Sequence, residues 1–253
     1  MTEQSSVIEN WTDDAEIYGS VIAKELRSFK KDAWTDLILE HAPKRSCLRV
    51  LDVGTGPGFF ATILTMAGCQ VTAVDCTEAM IAQARQNAAE FRAFPDFQVQ
   101  DAHAMSFPDE SFDLIVSRNV TWTLLDAEKA YLEWDRLLKP GGRILIFDAN
   151  WNLRFFDETF AEAYRQDEAA YYALTGKKVH RDPDEEKMNA FRRSVPMSAR
   201  LRPQWDMTAL LNLGFRRIAC DADITELVWD DEEKIKYRSR PMFMICVEKR
   251  PGE

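Results

Sequence analysis

The stretch LRVLDVGTGPG, residues 48–58, constrains the fold of this chain more than any other. Its first six residues are mostly apolar and read as a strand covered on both faces. Three glycines within five residues follow, and then an apolar helical stretch from about Gly58 to Ala67. A strand that ends in a glycine turn and feeds a helix opens a parallel α/β sheet, which binds ligands at the carboxyl ends of its strands. The alternation continues. Strands are expected at 70–74, 97–100, 112–116 and 143–148, and helices at 78–90 and 126–138, the latter closed by Pro140-Gly141-Gly142. A helix at 206–213, stopped by Gly214, and strands at 215–222 and 242–248 complete the set. The expected class is α/β: a Rossmann-like, doubly wound sheet of seven strands.

Two segments stand outside this alternation. Residues 1–19 read as an arm of little periodicity, marked by Trp11 and Tyr18. A helix is expected at 20–41 from the spacing of Val21, Ile22, Leu26, Phe29, Trp34, Leu37 and Ile38, with Pro43 as its stop. Residues 150–205 carry many charges and aromatics but no strong strand, and read as a mostly helical insertion. The domain organisation expected is an arm and helix at 1–42, a ligand-binding domain formed by 43–149 and 206–253, and a cap at 150–205.

The spacing of the turn Gly54-Thr55-Gly56-Pro57-Gly58 is G-x-G-x-G, not the G-x-G-x-x-G of a dinucleotide fold. Pro57 removes one N–H from the helix start where a pyrophosphate would be held. A close glycine backbone beside the Asp52 carboxylate suits instead an amino-acid moiety with a positive ammonium and sulfonium. Asp75 ends the second strand about 20 residues on, where a carboxylate accepts from ribose hydroxyls. Asp101 follows the third strand, placed to accept from an adenine amino group while the Ala102 N–H reaches a ring nitrogen. Acids at strand ends also serve as helix caps. Three of them in order, Asp52 before the glycine turn and Asp75 and Asp101 after it, favour S-adenosylmethionine (SAM) over NAD.

These motifs, LDVGTGPG, VTAVDCTEAMIAQAR, QDAHAMSFPDESFDLIVS and LLKPGGRILIFD, resemble those of class I SAM-dependent methyltransferases, in particular the group that includes the ubiquinone/menaquinone-biosynthesis C-methyltransferases. The resemblance covers about residues 48–148. It implies that the last strand runs antiparallel and that SAM, released as S-adenosylhomocysteine, lies over the first strand ends. Gly54, Thr55, Gly56 and Gly58 would face the methionine end, Asp75 the ribose, Asp101 and Ala102 the adenine, with Cys76 and Met80 flanking the purine. Ser117 and Arg118, with Asn119, would line the methionine moiety and the reacting sulfur. The arm bearing Tyr18 would fold over as a lid. The segments Ser117–Trp122 and Asp148–Trp151 depart from the commoner pattern, which implies a distinct small-molecule substrate.

Methyl transfer from a sulfonium asks the protein for alignment and electrostatics. Asp148, Asn119 and Trp151 are the candidate catalytic residues. Asp148 either deprotonates or binds the acceptor, or caps the next segment; Trp151 excludes water, holds a cationic acceptor or packs in the core. The basic residues Lys177, Lys178, Arg181, Arg192, Arg193, Arg200 and Arg202 read as a solvated face, with reception of an anionic substrate as the alternative. The three histidines show no ligand spacing and the five cysteines form no CxxC, so no metal site and no disulfide framework is expected. A net charge of −10 disfavours nucleic acid and anionic membranes as partners. The polar N-terminus and the lack of a long apolar run suggest a cytoplasmic chain, monomeric or homodimeric. The competing functions are a non-catalytic SAM-binding module and an NAD-dependent oxidoreductase.

Overall fold

In the computed structural model, which describes residues 3–179 and 185–250, the elements follow in the order α1 (Glu3–Asp13), α2 (Ala15–Glu25), α3 (Lys30–His41), β1 (Arg49–Val53), α4 (Phe59–Met66), β2 (Gln70–Asp75), α5 (Glu78–Glu90), β3 (Asp96–Val99), β4 (Phe112–Arg118), α6 (Ala127–Leu137) and β5 (Leu138–Asp148). After β5 come α7 (Glu158–Thr175), α8 (Glu185–Ser194), α9 (Gln204–Asn212), β6 (Ile218–Asp221), α10 (Thr225–Val228), α11 (Asp231–Lys236) and β7 (Phe243–Glu248). The strands form one seven-stranded sheet in the order β3-β2-β1-β4-β5-β7-β6. The pairs from β3 to β5 are parallel, and β7 runs antiparallel to both β5 and β6. The expected Rossmann-like sheet with an antiparallel last strand is therefore the observed one. Among the described residues no helix is long and apolar enough to cross a membrane.

Apolar residues on both faces of the strands are what hold the layers together. On one face Trp34, Phe60 and Phe147 meet edge to face, with ring centroids 4.9–5.7 Å apart. On the other, Tyr131 and Trp134 of α6 are wholly buried against Leu51, Ile115 and Ile146. A smaller third cluster joins Val7 of α1, Trp122 and the α8 residues Met188 and Phe191. It lies beyond the sheet and ties α1 to α8.

Local sequence explains the boundaries. Thr77 accepts from the Met80 N–H and caps α5, Asp126 does so for Lys129 in α6, and Asp157 caps α7. Gly176 ends α7 in the left-handed region. Three features differ from the expectation. The arm is two helices, α1 and α2, rather than irregular chain. The single helix expected at 20–41 is broken between Leu26 and Phe29, which lets Ile22 on α2 and Trp34 on α3 enter the same core from different directions. The third difference is α10 and α11, which fill the gap before β7.

The ends of β4 and β5 are locked by a buried ion network. Asp148, at the tip of β5, accepts from Thr121 Oγ1 (2.6 Å), the Trp122 N–H (2.9 Å), the Ala149 N–H (2.9 Å), Trp151 Nε1 (2.9 Å) and Arg202 Nη1 (2.8 Å). Arg202 also bonds Asp206 through Nε (2.8 Å) and Nη2 (2.7 Å), and the Tyr131 hydroxyl donates to Asp206 (2.6 Å). Both carboxylates and the guanidinium are out of contact with solvent. A buried ion of this kind persists only when every charge is answered. Arg202→Met leaves two buried carboxylates facing each other, so the unfolding free energy is expected to fall by about 3–5 kcal/mol. Urea unfolding measures the loss; a drop under about 1 kcal/mol, the size of a surface pair, would contradict this account.

Candidate active site

A cavity of about 1000 Å³ opens over the carboxyl ends of the parallel strands. Its floor is the turn between β1 and α4. Gly54, Gly56 and Gly58 all adopt positive φ there, at 67°, 52° and 87°. A Cβ on Gly56 would meet nothing within 4 Å, so the backbone at this point faces open space. One on Gly54 would strike Val120 at 2.4 Å.

The donors of this turn are largely consumed inside the protein. The Thr55 N–H bonds Val74 O, the Gly56 N–H bonds Asp75 Oδ2 (3.0 Å), the Gly58 N–H bonds Thr55 O, and the Ala61 N–H bonds Asp52 Oδ2 (3.0 Å). Pro57 has no N–H to give. Such a turn is poorly equipped for a pyrophosphate, which needs several free N–H groups. It offers carboxylates instead. Thr55 Oγ1 donates to Asp52 at 2.6 Å, and burial pushes the Asp52 carboxyl up to about 6. Asp75 also takes the Thr77 N–H and hydroxyl on Oδ1, and burial raises its pKa as well. A hydroxyl donor from the cavity would share Asp75 Oδ2 with the Gly56 N–H.

Around the floor the structure gathers most of the expected residues. Cys76 and Met80 follow Asp75 along the wall, and burial pushes the Cys76 thiol up to about 12, so it stays protonated. Asp101 and Ala102 form the rim after β3; Asp101 accepts from both the His103 N–H (2.9 Å) and the His103 ring (2.6 Å). Arg118 and Asn119 line the centre. Arg118 pairs with Glu25 at 2.8 Å and lies 4.5 Å over the Phe59 ring. Asn119 has φ 58°, a left-handed backbone that asparagine tolerates better than most residues and that recurs at binding sites. Tyr18 faces the cavity from α2 with Trp11 edge-on at 5.6 Å, and Trp151 faces it from the β5 side.

Three expected site residues lie behind the wall rather than on it. Gly58 starts α4, where a Cβ would press on Ala84 at 2.9 Å, so its bareness serves helix packing. Ser117 is buried and donates to Val53 O across the sheet. Asp148 is sealed in the ion network, with five donors around it, and acts on the cavity only by holding Trp122 and Trp151. The basic cluster also disperses. Arg202 joins that network, Arg193 and Arg200 stack on Phe155 and Trp205, Lys177 and Lys178 are exposed, and Arg181 lies outside the described residues. Arg192 alone of the described members lines the cavity.

Residues 51–146 match the methyltransferase domain family. That span is less than half of the chain, and over it the chain resembles methyltransferases. Over 109 residues it is 38% identical to a malonyl-[acyl-carrier protein] O-methyltransferase of Erwinia pyrifoliae, covering 43% of this chain and 40% of that one. Over 115 residues it is 37% identical to the demethylmenaquinone methyltransferase of Thermus thermophilus, covering 45% and 50%. The chain thus spans half or less of these relatives' length. Its fold resembles the crystal structure of a putative SAM-dependent methyltransferase from Methanococcus maripaludis, with a TM-score of 0.56 at 20% identity over 100% of this chain and 96% of that one.

The far wall of the cavity was not expected from the sequence. Trp229, Lys236, Tyr237 and Arg240 come from α10, α11 and the approach to β7. The signal was present in DDEEKIKY, where Asp230 and Glu233 form a reciprocal cap. Arg154, just after Trp151, also lines the cavity.

Asp52 carries a testable consequence. Its folded pKa lies above the ordinary value of 3.8, so the folded state holds the proton more tightly and stability is lost as pH rises through about 4 to 6. Relative to Asp52→Asn, the wild type is expected to lose up to about 3 kcal/mol between pH 4 and 7. A pH-independent difference between the two urea-unfolding free energies would refute the assignment.

Proposed function

We propose that this chain is a SAM-dependent methyltransferase that methylates a small molecule held between the strand tips and the cap helices. The supporting observation is the turn around Gly56: its backbone is open to the cavity and its N–H groups are spent internally, with two buried carboxylates beside it. This arrangement fits a cationic amino-acid and ribose ligand and is ill-suited to a phosphate. Asp52 would face the positively charged methionine end, and Asp75 would accept from the ribose. Asp101 and Ala102, with Cys76 and Met80, would hold the adenine. Gly54 and Thr55 shape the bend, and Tyr18 closes it from above.

SAM, when bound, supplies a methyl group activated by its sulfonium. The protein's part is alignment and dryness. Asn119 and Arg118 sit where the fourth strand ends, beneath Trp122, Trp151, Trp11 and Tyr18. These rings restrict water at the reacting centre. Asn119 and Trp151 are the residues assigned to contact the acceptor, and Asp148 positions Trp151 through its indole N–H. The third hydrophobic cluster, which joins α1 to α8 over Trp122, gives the lid its hinge on the cap.

Asp75→Ala removes the ribose acceptor and the partner of the Gly56 N–H. Hydrogen bonds to charged groups contribute about 1.5–3 kcal/mol each, so SAM affinity is expected to fall roughly 100-fold or more. Isothermal calorimetry on the folded variant reads this directly. Affinity equal to the wild type would overturn the placement of SAM on this turn.

A further inference from the structure

The two halves of the cavity differ in how their charges are answered. Toward α2, Glu25 pairs with Arg118 and Lys30, and Lys30 pairs with Glu233 at 2.5 Å. Toward β7, four cations line the wall: Arg154, Arg192, Lys236 and Arg240. None of them has a carboxylate oxygen within ion-pair distance among the described residues. Arg154 lies 3.9 Å over the Tyr164 ring, Arg240 lies 4.3 Å over the same ring and 5.1 Å over Tyr237, and Lys236 Nζ lies 4.9 Å over Tyr237. Aromatic faces hold these groups in place but do not neutralise them.

The neighbouring acids are committed elsewhere. Glu232 accepts from the Tyr171 hydroxyl (2.6 Å), Glu233 serves Lys30 and the Asp230 N–H, Asp167 takes the Ser239 N–H and pairs with Arg238, and Glu168 bonds Tyr164. Arg240 is 4% exposed, and its Nε has no hydrogen-bond partner among the described residues. A buried guanidinium N–H left unmet is costly, and several like charges in one recess add to the cost. Burial, with repulsion from Arg240 and Arg192, pulls Arg154 down to about 10; burial likewise lowers Arg240 and Lys236. The recess is therefore a place where an anion relieves strain already present.

Resting on the methyltransferase reading above, we infer that the acceptor carries an oxyanion, a carboxylate or a phosphate monoester, seated among Arg154, Arg192, Lys236 and Arg240. Its body lies against the packed rings of Trp151, Trp229 and Tyr237, whose centroids are 5.4–6.4 Å apart. Arginine suits this task because its planar fork matches both oxyanions. The position also suits methyl transfer. From β1 to β7 the sheet takes three steps, roughly 14 Å at the usual strand spacing, so an acceptor anchored beside β7 reaches back to the Asn119 region.

The test uses simple probes: benzoate, phenyl phosphate, benzyl alcohol and benzylamine, titrated into the whole chain with and without S-adenosylhomocysteine. Tryptophan fluorescence and calorimetry report binding. Benzoate or phenyl phosphate is expected to bind at least tenfold more tightly than benzyl alcohol, and benzylamine most weakly. The better of the two anions tells carboxylate from phosphate. Arg154→Gln and Arg240→Gln should each cost the anion tenfold or more while leaving S-adenosylhomocysteine affinity within about twofold. Arg192→Gln, at a half-exposed position, gives the same readout should the Arg240 variant fail to fold, as judged by circular dichroism. Equal affinity for the alcohol and the anions, or anion affinity unchanged in the arginine variants, overturns the proposal. A wild type that ignores S-adenosylhomocysteine but still selects anions would overturn the cofactor reading alone.

Discussion

A carboxylate buried at the end of a parallel strand must find donors, and meeting that demand shapes this molecule. Three strands end in such a group. Asp52 takes the Thr55 hydroxyl and the Ala61 N–H, which fixes how the turn enters α4. Asp75 takes the Gly56 N–H from the next turn and the Thr77 N–H from its own, so the first two loops are pinned to each other. Asp148 gathers donors from the loop after β4, from its own loop and from Arg202, so the last two loops are pinned in turn. The cavity is the space these loops leave between them. Its shape is set by electrostatic satisfaction as much as by apolar packing, because an unanswered charge in that position costs several kcal/mol.

The same constraint explains which parts were legible in the sequence. The alternation from β1 to β5 rests on short-range pattern, and the glycine turn with Asp52, Asp75 and Asp101 follows from where strands end. Those positions are fixed by neighbours a few residues away. For Asp148 the capping alternative is the one the hydrogen bonds match, and its burial was not legible because Arg202 is 54 residues further along the chain and nothing near Asp148 announces it. Arg118 lines the cavity as expected, but its Glu25 partner, 93 residues back on a helix not recognised as separate, was not foreseen. α1 was missed because its apolar positions, Val7, Ile8 and Trp11, stand among polar neighbours, and Val7 and Trp11 gain their meaning only when α8 and Trp122 cover them. The far wall was missed because a six-residue helix such as α11 is below the length at which periodicity speaks.

Charge segregation inside one cavity has a further physical effect. Coulomb energies grow as water is excluded, so opposite potentials at the two ends act strongly on a ligand that fills the cavity. The carboxylates under Gly56 favour a ligand bearing positive charge, while the cations between α7 and β7 favour a negative one. On the proposed reading, a cationic cofactor and an anionic acceptor would thereby be sorted, each penalised in the other's place. Sorting of this kind supplies orientation without any residue touching the transferring group, and orientation is the larger part of what an in-line displacement requires of a protein. It also accounts for an acidic chain, of net charge −10, keeping in one recess four cations that have no carboxylate within ion-pair distance among the described residues. Spread over the surface they would do nothing for ligand selection, whereas confined among aromatic faces they form a local field that the overall charge does not cancel.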